Sequence, residues 1–259
     1  MRPVTLITGA SAGIGSALVH VFAQHGHELI LIARREQKLA ELADAIAAQG
    51  HKRPLMLPLD LARPDAVERI GNTFASLDVE PEYVVNNAGF GLFGAADALD
   101  LNEQLGMIDL NVRLLTELSL AFIAPLQRRR GGILNVASVA GFLPGPGMAV
   151  YYASKAYVLS FSEALHRELK PRGVRVTVLC PGPVPTEFQA RAGVRTTQEQ
   201  PLFTQTPERV AQEGYCGLVA GRRLVIPGFA NKLVTFLLRI TPRRMALAGV
   251  EARLRYRQS

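Results

Sequence analysis

The stretch Val4-Thr5-Leu6-Ile7-Thr8-Gly9-Ala10-Ser11-Ala12-Gly13-Ile14-Gly15 decides the fold. An apolar run that reads as a strand feeds into a glycine-rich turn, and residues 13–25 then show helical periodicity up to a stop at Gly26. Strand, glycine turn and helix in that order meet the needs of a dinucleotide. They supply a tight turn, backbone close to a pyrophosphate, and a helix N-terminus whose free amides face the anion. An ordinary glycine turn is the alternative, and the placement between strand and helix is what gives the motif weight.

The same alternation continues outward. Apolar runs at 4–8, 28–32, 54–59, 83–86, 133–137, 174–179 and 224–226 read as strands. Between them, 36–48 ends at Gly50, and 102–126, 151–170 and 207–218 carry helical patterns, the last opened by Thr206-Pro207 as cap and first helical residue. Strands this apolar are buried on both faces, so the expected fold class is α/β: a Rossmann-like, doubly wound parallel sheet in a single domain. No linker divides the chain. The expected organisation is a domain over 1–228, with a proline-rich lid at 181–206, followed by a basic amphipathic extension at 229–259.

Composition narrows the class. With 259 residues, 48% hydrophobic and 20% charged, the chain can build a sizeable core and shows no low-complexity tract. Of the net charge of +7, residues 229–259 carry Lys232, Arg239, Arg243, Arg244, Arg253, Arg255 and Arg257 against Glu251 alone. The excess belongs to a tail, so no basic groove for nucleic acid is implied. Met1-Arg2-Pro3 runs directly into the first strand, unlike a secretory leader, and no apolar run approaches the ~20 residues that span a bilayer. A cytoplasmic protein is expected, with Cys180 and Cys216 as free, mostly buried thiols and no metal site.

The end of the second strand reads Ile30-Leu31-Ile32-Ala33-Arg34-Arg35, with no acid where NAD binders place a carboxylate on the ribose. An arginine grips a 2′-phosphate with two hydrogen bonds, so NADP(H) is the expected cofactor, with Arg34 ahead of Arg35. The plainer alternative is two solvated arginines at a helix start. Further along, Tyr151 and Lys155 lie four apart on one helix face, and Ser138 ends an apolar run at the sheet edge where ligands bind. A phenol ionises near pH ~10. A nearby ammonium, with the positive nicotinamide of the oxidised cofactor, is expected to lower that value and make Tyr151 an acid/base, with Ser138 holding a substrate carbonyl.

With Thr8-Gly9-x-x-x-Gly13-Ile14-Gly15, Asn86-Asn87-Ala88-Gly89, Asn111, Ser138, Tyr151-x-x-x-Lys155 and Pro181-Gly182 in order, the chain resembles the short-chain dehydrogenase/reductase family up to about Phe229. That resemblance implies NADPH-dependent reduction of a carbonyl, reversible with the alcohol. It makes Tyr151 the general acid/base, Lys155 its modulator and ribose ligand, Ser138 the carbonyl anchor and Asn111 the holder of a water leading to solvent. Gly9, Ser11, Gly13, Ile14, Gly15, Asp60, Asn87, Ala88, Gly89, Pro181, Gly182 and Thr186 would line the cofactor. It also implies a homodimer or homotetramer built on the long helices at 102–126 and 151–170. The tail departs from the family's compact ending.

Apolar residues near these motifs, namely Phe90, Leu92, Phe93, Phe142, Leu143, Met148 and Phe188, point to a hydrophobic small-molecule substrate, although packing alone would also explain them. The apolar, basic tail from Phe229 suits contact with an anionic membrane, a cover over the substrate cleft, or a subunit contact. A non-catalytic NADP-binding regulator or scaffold is the rival reading. Such a protein would be expected to lose Ser138, Tyr151 or Lys155, and all three are present.

Overall fold

Alternation of apolar side chains along each strand sends them to two helix layers, and the computed structural model realises that pattern over residues 1–193, 202–238, 241, 242, 244, 245 and 247. Residues 194–201 of the expected lid, and Arg239, Ile240, Arg243, Arg253, Arg255 and Arg257 of the tail, lie outside the described residues. Seven parallel strands form one sheet: β1 (Arg2–Thr8), β2 (Leu29–Ala33), β3 (Leu55–Pro58), β4 (Val79–Asn86), β5 (Gly132–Val136), β6 (Arg175–Leu179) and β7 (Leu224–Val225). Their order is β3-β2-β1-β4-β5-β6-β7, so the winding reverses between β1 and β4. Ligands bind at the carboxyl ends of strands beside such a reversal.

Leu29 and Leu31 of β2 face the layer made by α1 (Gly13–Gln24), α2 (Glu36–Ala48) and, later in the chain, the helix at Pro207–Val219. Ile30 and Ile32 face the other layer, which includes α3 (Ala66–Ser76). Both faces are therefore covered, as a parallel sheet requires.

The expected single helix over 102–126 is divided. α4 (Leu101–Ile108) runs into a π-helical turn at Asp109–Leu114, then α5 (Leu115–Ala121) and α6 (Ile123–Arg129) follow, separated at Phe122. Pro125 explains the second break, since it has no N–H and its ring crowds the carbonyl of Ala121. The next helices are α7 (Ala149–Leu169), α8 (Glu187–Ala192), α9 (Pro207–Val219) and α10 (Phe229–Leu238). α3 and α8 were not singled out in the sequence. Cys180 is buried, but Cys216 is exposed, which corrects the expectation for that thiol. Its neighbours Tyr215 and Leu218 take the inward face of α9 and turn Cys216 to solvent.

Phe22 of α1 is fully buried and meets Tyr215 of α9 edge-on with ring centres 4.9 Å apart, and His27 at 5.1 Å. It anchors the helix whose N-terminus faces the site. Phe22→Ala is expected to cost about 3–5 kcal/mol in chemical denaturation, and a loss below about 1 kcal/mol would show that this cluster does not hold α1.

Candidate active site

The site grows from the seam between β1 and β4. Thr8 Oγ1 donates to the Val85 carbonyl at 3.2 Å and accepts from the backbone amides of Asn87 at 3.0 Å and Ala88 at 3.1 Å. Asn87 Nδ2 returns the contact, donating to the carbonyls of Thr8 at 3.0 Å and Gly9 at 3.2 Å. The glycine turn is packed so closely that a side chain at Gly15 would overlap the Gly9 carbonyl, and Gly9 itself adopts φ +64°. α1 begins at Gly13 after Ala12, and no side chain caps its first amides. By contrast α4, α8 and α9 are capped by Asp100, Thr186 and Thr206. α2, α3 and α7 also lack a side-chain cap, but the donors of α1 open directly on the glycine turn, where an anion can satisfy them.

Gly9, Ser11, Gly13, Ile14, Gly15, Arg34, Arg35, Asp60, Asn87, Ala88 and Gly89 all border one cavity of about 1800 Å³, together with Ser138, Tyr151, Lys155, Pro181, Gly182 and Thr186. Asp60 also accepts from the Ala62 amide at 3.1 Å, so its carboxylate shapes a turn as well. Arg34 is exposed, and no ion pair among the described residues engages it. Arg35 is held, at 2.8 Å from Glu187 and 3.1 Å from Ser11 Oγ.

Across the cavity, Ser138 stands at the end of β5, where it accepts from the Ala140 amide at 3.1 Å. Lys155 is 6% exposed and donates to the Val136 carbonyl at 2.9 Å, with its ammonium 5.8 Å from the centre of the Tyr151 ring. Burial pushes the Tyr151 phenol up to about 12, with the hydrogen bond to Ser138 pulling the other way. Burial likewise brings the Lys155 amine down to about 8. In the protein by itself burial outweighs any lowering of the phenol by Lys155, whereas the expected lowering also rests on the positive nicotinamide of the oxidised cofactor. The low-dielectric surroundings disfavour both charged forms, and the ammonium is turned toward a backbone carbonyl.

Asn111 lies in the π-helical turn rather than on the cavity wall. Its amide clasps the Phe90 backbone in both directions, at 3.0 and 3.2 Å, and donates to Ser154 Oγ at 3.1 Å. A Cβ on Gly89 would lie 2.8 Å from Asn111 Oδ1 and 3.6 Å from Lys155 Nζ, so both groups face that glycine. Ser154, which donates to the Tyr151 carbonyl at 2.7 Å, is a link that the sequence reading missed.

Of the expected substrate wall, Phe90, Leu143, Met148 and Phe188 border the cavity, as does Leu92. Phe188 stands 5.3 Å from the Tyr151 ring, and Met148 reaches the same point beside Gly91. Phe142 and Phe93 do not line it, which corrects both. The 3₁₀ turn at Val139–Phe142 sends Phe142 into the core beside Leu115 and Val158, while Phe93 packs near Gly147 with its amide bonded to Ala192.

Among the wall residues that went unforeseen are Glu187 and Arg191 of α8, and Asn231 of α10. Arg191 stacks over the Phe90 ring at 4.2 Å. Asn231 is 3% exposed, donates to the carbonyls of Phe203 and Pro227, and sits where a side chain on Gly182 would go. α10 thus covers one end of the cavity with Asn231, Val234, Thr235 and Leu238.

Residues 3–196 match the family model for short chain dehydrogenases. The chain is 36% identical over 217 residues to sulfoacetaldehyde reductase 2 of Chromohalobacter salexigens, covering 82% of this chain and 85% of that protein. It is 31% identical over 208 residues to an 11-beta-hydroxysteroid dehydrogenase of Pinus massoniana, covering 80% of this chain and 58% of that one. A short-chain dehydrogenase from Sphingobium yanoikuyae in complex with NADPH superposes with TM-score 0.80 at 30% identity, covering 88% of this chain and 89% of the other. A bulky-bulky ketone specific alcohol dehydrogenase from Comamonas testosteroni gives TM-score 0.75 at 28% identity, covering 88% and 86%. With its glycine turn, its Ser138, Tyr151 and Lys155 on one cavity, and a family match over most of its length, the chain belongs to the short-chain dehydrogenase family of oxidoreductases.

Proposed function

We propose that the protein uses NADPH to reduce a carbonyl group (ketone, aldehyde or 3-oxoacyl) on an apolar substrate, reversibly with the alcohol. The observation that carries this reading is the continuity of one cavity from Arg34 and the glycine turn to Ser138, Tyr151 and Lys155. At about 1800 Å³ it exceeds the ~300–1,000 Å³ of pockets for one small ligand, so a dinucleotide and a substrate fit together. Relatives named for an aldehyde and a ketone support the reaction class, and the NADPH-bound neighbour supports the cofactor.

When bound, the cofactor supplies hydride to the carbonyl carbon. Arg34, with Arg35, grips the 2′-phosphate, and the uncapped amides of α1 with Ser11 receive the pyrophosphate. Asp60 meets the adenine end, Asn87 to Gly89 support the cofactor from beneath, and Pro181, Gly182 and Thr186 border the nicotinamide. Ser138 donates to the substrate oxygen and orients it. Tyr151, kept neutral by burial, gives that oxygen its proton. Lys155 holds the ribose and an ammonium beside the phenol, and Asn111, facing Gly89 with it, leads the replacement proton in through water. Phe90, Leu143, Met148 and Phe188 hold the apolar part of the substrate.

A second copy of the chain is the partner for α4. Leu101, Leu105 and Ile108 form an exposed stripe, with exposed Tyr157 on the adjacent α7. Nearby Arg113 is internally neutralised by Asp109 and Glu117, so two copies meet without repulsion in a homodimer or tetramer.

The outer face of α10 is different. Phe229 is 80% and Phe236 60% exposed, Leu233 and Leu237 are exposed beside them, and Lys232 with the basic tail sequence leaves the segment strongly cationic. Like charge opposes self-association there. An anionic bilayer surface fits this face, which supports a cytoplasmic enzyme peripheral to a membrane with an apolar substrate near the cavity mouth. No described helix is long and apolar enough to cross a membrane.

Purified protein should oxidise NADPH faster than NADH across a panel of apolar ketones, aldehydes and 3-oxoacyl thioesters. Tyr151→Phe should lose about 10²- to 10⁴-fold in turnover while still binding NADPH, and a variant that keeps its rate would remove Tyr151 from the chemistry. Reduction should hold below pH 8 and fall as pH rises through about 8, where Lys155 loses its proton. A profile flat to pH 10 would sink that assignment. Vesicles containing phosphatidylserine should co-sediment the protein at low salt, and Phe229→Ser with Phe236→Ser should abolish it. Equal binding to neutral vesicles would overturn the electrostatic part.

A further inference from the structure

The basic end of β2 is not presented bare. A carboxylate from the opposite wall reaches it: Glu187, in the first turn of α8, lies 2.8 Å from Arg35 and 2.7 Å from Lys38, using one oxygen for each. α8 is brought there by Thr186, which packs against the glycine turn so closely that a Cβ on Gly13 would fall 2.8 Å from its methyl. Lys38 and then Arg35 hold the Glu187 carboxyl below its usual range. Arg191, one helical turn further along α8, is lowered first by burial and then by the charges of Arg34 and Arg35, with Glu103 and Asp60 as the acids that oppose the shift. Arg34, Arg35 and Glu187 all border the same cavity.

An oxyanion shared between a guanidinium and an ammonium is the arrangement that a phosphate group adopts with the same cations. We infer that Glu187 is a resident anion in the 2′-phosphate receptor, displaced from Arg35 when NADPH binds, and that it sets how far the enzyme discriminates NADPH from NADH. This rests on the NADPH reading above. Arg34, free of ion pairs among the described residues, makes the first capture, and the 2′-phosphate then takes Arg35 from Glu187. The exchange is feasible because the pairs are solvent-screened, with side chains 44% exposed on Arg35 and Lys38 and 54% on Glu187.

The test is calorimetric titration of full-length protein with adenosine 2′,5′-bisphosphate, AMP, NADPH and NADH, without turnover. Glu187→Gln should bind the two 2′-phosphorylated ligands about two- to fivefold tighter while AMP and NADH change less. In an Arg35→Ala background the gain should vanish, since its contact partner is gone. Equal gains for all four ligands, or a gain that survives Arg35→Ala, would mean a diffuse charge effect and overturn the inference. Weaker NADPH binding by Glu187→Gln would make the carboxylate a clasp over the cofactor, and would overturn it too. Wild-type preference for AMP and NADH would instead defeat the NADPH reading itself, an outcome visible before any variant is made. Unchanged melting of the unliganded variant keeps folding out of the comparison.

Discussion

The hydroxyl of Thr8 joins two chain segments that the rest of the site depends on. Where the strand order reverses, the pairing of β1 with β4 ends at Ile7 and Val85, and the backbone amides beyond β4 need partners outside the sheet. Thr8 Oγ1 satisfies two of those amides while donating to Val85, and Asn87 replies through the carbonyls of Thr8 and Gly9. Buried amides without partners are costly, so this small knot does more than tie two loops together. It sets the glycine turn and the Asn-Ala-Gly segment at a fixed distance, and the cleft between them is where a ligand can lie.

Burial then determines the chemistry on the far wall. Lys155 is almost wholly enclosed, and its amine is satisfied by one backbone carbonyl, which leaves it nearer to neutrality than a surface lysine. Tyr151 is driven the opposite way in value but for the same reason, since enclosure penalises whichever form is charged. A neutral phenol beside a readily titrated amine suits proton delivery to a carbonyl. The π-helical turn at Asn111 is the structural price of that wall, because it interrupts a long helix to aim one amide at the Phe90 backbone and at Ser154.

Parts of the expected lid and of the amphipathic extension become walls in the fold. α8 brings Phe188 to Tyr151, Arg191 to Phe90 and Glu187 to Arg35, so both ends of the cavity are lined from one short helix. α10 closes another side through Asn231, while its opposite face leaves Phe229 and Phe236 in solvent. A single element therefore serves both the cavity and the exterior, which links the cavity to whatever surface that exterior meets.

The parallel sheet, the glycine turn and the trio of Ser138, Tyr151 and Lys155 were legible in the chain because each is a local signal. Period-two apolar runs, glycines at a strand-to-helix junction and a four-residue helical step need no partner from far away. The division of the helix over 102–126 was half legible, since Pro125 marks one break, but the π turn depends on Asn111 finding Phe90 across the fold. Phe142 and Phe93 looked like substrate contacts by proximity in sequence, and only the 3₁₀ turn and the packing around Gly147 decided that they face elsewhere. The direction of the Tyr151 shift and the pairing of Glu187 with Arg35 also waited for the tertiary structure. Enclosure and contacts between residues 152 positions apart are properties of the packed chain, and no local pattern encodes them.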